Sequence, residues 1–202
     1  TGALAGRNNG LIENCHVTGR VHYKYYTDVR GALAGENGPA GIIRNCSASA
    51  EVPGQGNYIG GLVGRTLGRI EDCHAEVDVA GHQRVGGIAG YQEGGSLVRC
   101  STSGHVTAVL GDAGGLVGNV INGVMTESFA TTEVVSQSGA AGGLAGRGWE
   151  GRIRYCFATG RVTTQDGPAG ALVGMQDGGA VDSCYGTSLV SGSDAAGLLH
   201  FA

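Results

Sequence analysis

Residues 142–162 read GGLAGRGWEGRIRYCFATGRV, and the same phrase recurs along the whole chain. Its first half is G-[GA]-[LI]-[VA]-G. The bulky residue of that half falls at Leu4, Leu33, Leu62, Ile88, Leu116, Leu144 and Leu172, and Leu198 belongs to a partial further copy. Its second half begins with a Gly two positions before an apolar anchor: Ile12, Ile43, Ile70, Leu97, Met125, Ile153 or Val181. Three positions after the anchor comes Cys15, Cys46, Cys73, Cys100, Ser128, Cys156 or Cys184. Nine positions after it comes Val21, Val52, Val79, Val106, Val134, Val162 or Val190. Successive leucine-type positions are 29, 29, 26, 28, 28, 28 and 26 residues apart. A period of this size marks a repeat array, in which one supersecondary unit is stacked on the next.

Helical repeats are excluded by composition. Of 202 residues, 41 are Gly, and each would destabilise a helix interior. No G-X-Y triplet runs through the chain, so it is not a collagen. Small residues alternate instead, as in Cys73 and Ala75 or Cys156 and Ala158, which is the period of a strand. The reading is an all-β parallel β-helix, or β-solenoid, of about seven coils of roughly 28 residues. Three short strands are expected per coil, in the third unit centred on Leu62, on Cys73–Ala75 and on Val77–Val79. Equivalent residues then stack about 4.8 Å apart, in a rod roughly 35 Å long. The repeated glycines are expected at corners that need positive φ or close backbone approach. A propeller needs larger, four-stranded blades and fits less well. The unbroken repeat argues for one domain over residues 1–202, with partial coils at both ends. That pattern is expected of an excerpt from a longer protein or of a fibre subunit.

Net charge is −4 with a single lysine, Lys24. No basic cluster favours nucleic acid, and no apolar run is long enough for a membrane helix. The six cysteines share one repeat position and lack C-x-x-C spacing, so they are expected to be free, inward thiols acting as small hydrophobes. His16 and His74 share a column but sit two coils apart, about 10 Å, which is too far for one metal ion. No metal site and no cofactor is expected.

The phrases GGLVG (60–64), GGIAG (86–90) and GGLAG (142–146), each followed by the pattern of 151–162, resemble the GLUG motif. That repeat occurs in bacterial cell-surface adhesins and in IgA-specific metallo-endopeptidases. The resemblance implies an extracellular, cell-surface or secreted protein in which the repeats form a stalk, spacer or recognition module. The H-E-x-x-H zinc site of the peptidases has no counterpart here. The family's aromatic after the cysteine survives as Phe129, Phe157 and Tyr185, whereas earlier units carry His16, Ser47, His74 and Ser101.

Candidate binding residues follow from two places. The least repetitive stretch holds Tyr23, Tyr25 and Tyr26 beside Asp28 and Arg30. Such a set suits stacking on a sugar ring and bonding its hydroxyls. Phe129, Phe157 and Tyr185 are expected to form an outward aromatic ladder over three consecutive coils. Outward charges change sign down their columns, as in Arg20/Glu51 and Glu133/Arg161. They read as solvated ladder pairs rather than as an acid and base poised for catalysis. No catalytic residue is expected. The function expected is a non-catalytic structural or recognition rod; the alternative is a spacer or substrate-recognition domain of a secreted metallopeptidase or polysaccharide-active enzyme. Expected partners are a second copy, head to tail, and a glycan or host-surface protein, with neither nucleic acid nor membrane insertion.

Overall fold

The computed structural model describes residues 1–21, 28–196 and 199–201. Every regular element among them is a β-strand, and every strand pairing is parallel. The chain winds as a β-solenoid. The anchor row shows the register plainly: Ile12, Ile43, Ile70, Leu97, Met125, Ile153 and Val181 pair in succession, one coil to the next. Seven rungs in this row are separated by six turns of about 28 residues.

Each coil carries four sheets rather than the three strands expected. In the third coil and the start of the fourth these are Val63–Thr66 in the first sheet, Arg69–Glu71 in the second, His74–Gly81 in the third and Arg84–Gly86 in the fourth. Two features account for the difference. Leu62 is a corner residue, not a strand centre: the preceding fourth-sheet strand ends at Gly60 and the next begins at Val63, while the Leu62 side chain is wholly buried. The expected second and third strands fuse into one eight-residue strand in the third and fourth coils. They separate in later coils, as Phe129–Ala130 and Glu133–Ser138 or Phe157–Ala158 and Arg161–Asp166.

The interior is a set of rows. The leucine row, the anchor row, the thiol row and the valine row are all buried through the middle coils. The cysteines are free, with Cys46, Cys73, Cys100 and Cys156 buried and Cys15 and Cys184 half-buried. Burial raises the Cys46 thiol to about 11. The Cys156 thiol is also raised, first by its hydrogen bond with Cys184 and then by burial. These thiols are uncharged at neutral pH.

Of the two roles expected for the repeated glycines, close backbone approach is the one that Gly60, Gly86, Gly114 and Gly142 serve. These four do not have positive φ. Each faces a carbonyl of the adjoining strand, and a Cβ there would collide with Val63 O, Ala89 O, Val117 O or Ala145 O. The positive-φ corner lies just before the thiol. Asn14, Asn45, Asp72, Arg99, Glu127, Tyr155 and Ser183 all have φ between 51° and 55°. Asn and Asp tolerate this region best, and they fill the first three corners.

A second inward row escaped the sequence reading. Four positions after the corner leucine lie Asn8, Asn37, Thr66, Gln92 and Gln176, all buried. The Asn and Gln amides of this row hold the turn into the second sheet. Asn37 Nδ2 donates to Gly41 O at 3.2 Å, Gln92 Nε2 donates to Val124 O at 3.2 Å, and Asn8 Nδ2 donates to Asn37 Oδ1 at 2.9 Å. Pro53 ends a strand and Pro168 begins one, where a missing donor is tolerated.

Candidate functional site

Two exterior features differ from the regular ladder. The first lies on the third sheet, in the column that follows the thiol. Side chains there alternate outward from the buried row, so they stack at the coil spacing. In the early coils the column is polar: His16 Nδ1 lies 2.6 Å from Ser47 Oγ, and His74 Nδ1 lies 2.8 Å from Ser101 Oγ. In the later coils it becomes aromatic. The Phe129 and Phe157 rings are 4.7 Å apart and 1° from parallel, and Phe157 and Tyr185 are 5.0 Å apart and 5° from parallel. The stack presents its ring edges and the outer Tyr185 to solvent; Tyr185 is 57% exposed. The expected pairing of opposite charges on this face also holds, with Arg20 to Glu51 at 3.4 Å and Arg161 to Glu133 at 3.9 Å. These pairs are exposed and contribute little stability.

Tyr23, Tyr25 and Tyr26 lie outside the described residues. The structure brings Phe129, Phe157 and Tyr185 into one stack.

The second feature is a groove between the fourth and first sheets. It exists because glycines let two sheets touch at a concave corner: a Cβ on Gly90, Gly118 or Gly146 would meet the backbone of Ile59, Val85 or Ala113. Side chains flanking these glycines meet across the groove. Arg84 lies over Tyr58 and Tyr91, 5.2 and 5.5 Å from the ring centres. Beside Arg84, and lined by it together with residues of the next two coils, a pocket of about 580 Å³ opens. The fourth-sheet column shrinks there from Tyr58, Arg84 and Asp112 to Ala140, as the register of the neighbouring residues places them. Asp112 is fixed by accepting the Ala140 N–H at 2.9 Å. Its other oxygen lies 3.3 Å from Arg147 Nε. Nothing in the sequence reading singled out this pocket, because its residues come from three coils and occupy the variable positions of the repeat. The irregularity of Trp149, the chain's single tryptophan, was the available signal. Among the described residues no group of three or more His, Cys, Asp or Glu is placed to hold a metal ion.

The family model described as the GLUG motif matches the chain at residues 55–80 and 137–163. The chain carries the GLUG repeat. No curated protein and no solved structure matches it. Each GLUG match spans the turn into a third-sheet strand, and the second includes Phe157 of the aromatic stack. Residues of the GLUG phrase itself are spent on corners and core: leucine, anchor, thiol and valine are interior, and the glycines permit close approach. The positions left to face outward lie between the motif residues, such as Phe157 on the third sheet and Arg147 and Trp149 in the groove.

Proposed function

We propose that this chain is a non-catalytic rod of a bacterial surface adhesin or fibre-forming protein, acting outside the cell as scaffold and recognition element. The observation that carries the proposal is the aromatic stack of Phe129, Phe157 and Tyr185 on a solvent-facing sheet. The interior rows satisfy the fold, so the outer columns vary without disturbing it. Three parallel rings in the later coils are a departure from the His/Ser column of the earlier ones. A ribbon of ring edges suits an apolar protein surface, and the exposed terminal ring, Tyr185, suits stacking on a sugar. The GLUG repeat supports the extracellular setting. The same row-on-row register that joins one coil to the next supports head-to-tail contact between copies.

The test compares the chain with the triple variant Phe129→Ser, Phe157→Ser, Tyr185→Ser on glycan arrays and on host-cell surface proteins. Circular dichroism confirms that both are folded. Loss of about tenfold or more in affinity, of the order a few aromatic contacts supply, is expected for the variant. Undiminished binding would remove the stack from the recognition role. Release of unsaturated or hydrolysed product from acidic polysaccharides by the purified chain would overturn the non-catalytic reading.

A further inference from the structure

The groove pocket lies apart from the aromatic stack and gathers different chemistry. Three unmet requirements converge on it. The first is a hydrogen bond. Asn119 is 6% exposed, and its Oδ1 has no partner. A buried amide oxygen left bare is costly, and Asn119 lines the pocket, so a donor entering there would satisfy it. The second is charge. Arg147 is flanked by Asp112 at 3.3 Å and Asp177 at 3.9 Å. Arg84 has no carboxylate within ion-pair distance among the described residues; its neighbours are Gln83 Oε1, accepting from Nη1 at 3.2 Å, and the two tyrosine rings. Its Nε is buried without an acceptor. The rings hold the guanidinium in place by cation–π attraction without neutralising it. The third is an apolar face. Trp149 and Leu110 line the same pocket and are 54% and 60% exposed, an indole and an aliphatic wall left open to solvent.

A flat apolar platform, a buried acceptor awaiting a hydroxyl, and an unneutralised guanidinium together describe one ligand class. We propose that this pocket binds an acidic saccharide, a sugar ring carrying a carboxylate such as a hexuronate. The ring's C–H face lies on Trp149, a hydroxyl donates to Asn119 Oδ1, and the carboxylate is held by Arg84 in a charge-assisted bond. The pocket's 580 Å³ is within the range that accommodates small ligands. The Asp112–Arg147 pair is a fixed wall of the pocket, since Asp112 is already committed to Ala140 N–H.

This inference rests on the recognition role proposed above but on different residues, so the two can fail separately. The experiment is titration calorimetry of the whole chain with digalacturonate and with its neutral counterpart, digalactose. Digalacturonate is expected to bind more tightly than digalactose. Arg84→Gln is expected to lose about tenfold for the acid, the worth of one charge-assisted bond, and to leave the neutral sugar unchanged. Trp149→Ala, at an exposed position, is expected to abolish both. The triple variant of the aromatic stack should bind digalacturonate as the parent does. Equal affinity for the two sugars, or undiminished acid binding by Trp149→Ala and Arg84→Gln, would overturn the assignment. So would the absence of binding by either sugar at millimolar concentration. A binding pocket beside a silent aromatic stack would leave this inference standing and remove the stack's role; the reverse result would do the opposite.

Discussion

At the residue scale, the thiol row does more than fill space. Cys46 Sγ donates to Arg44 O at 3.1 Å and accepts the N–H of Cys15, one coil earlier, at 3.4 Å. It thus closes its own positive-φ corner and serves a backbone donor in the neighbouring coil. Ser128 interrupts the row chemically but not functionally. Its Oγ donates to Thr126 O at 2.8 Å and accepts Cys100 N–H at 3.0 Å, the same two partners in shorter bonds. The row therefore selects a small side chain that both donates and accepts. Ser128→Ala would strand the buried Cys100 N–H and is expected to lower stability by about 1–3 kcal/mol. Ser128→Cys restores the row and is expected to stay within about 1 kcal/mol of the parent. Urea midpoints of the two variants check this; equal losses would show that the row is held by volume alone.

At the scale of the strand and corner, the G-G-L-V-G phrase makes a bend in which two strands pack back against each other. Gly86 shows the constraint. Its hypothetical Cβ lies against Ala89 O, and 2.7 and 2.8 Å from Gly118 N and Leu116 O. All three are backbone atoms, which cannot swing aside as a side chain would. Gly86→Ala is expected to cost about 3 kcal/mol, at the upper end of overpacking, read as a drop in thermal midpoint. A loss below about 0.5 kcal/mol would mean that the corner relaxes freely. This bend also marks the limit of the sequence reading. Period, parallel stacking and the inward thiols were legible because Leu62, Ile70, Cys73 and Val79 recur at fixed spacing. The fourth sheet was not legible, since its strands are short, as at Ala113–Gly114, and merge with the glycine phrase. The Asn8–Asn37 amide row was not legible, because polar residues beside Gly ordinarily signal turns; the turn is there, with these side chains aimed inward. The Phe157 stack could be foreseen from alternation alone. The groove pocket could not, because the meeting of Asp112, Asn119 and Arg147 depends on how two sheets fold against each other across coils.

At the scale of the whole molecule, each coil pairs only with the coils before and after it. Stability is then close to a sum of per-coil terms and nearest-neighbour interfaces. Leu116 is wholly buried at the corner of a central coil, and its backbone bonds to the next corner through Leu116 N–H to Leu144 O at 2.9 Å. Leu116→Ala is expected to leave a cavity costing about 2–5 kcal/mol. In a compact globule such a loss is shared by the entire cooperative unit. In a one-dimensional stack it should be felt most at the substituted coil and its immediate neighbours. Hydrogen exchange of the variant is therefore expected to show lost protection in the strands around Ala89–Glu93, Val117–Ile121 and Ala145–Trp149. Protection in the coils around Val52 and Val162 should be largely kept. The groove pocket lies within the affected coils, so digalacturonate should restore protection there by binding the folded form, and should do so without altering the flanking coils. A uniform loss of protection from end to end would show instead that the rod unfolds as a single unit, and that its coils cannot open independently to admit or release a ligand.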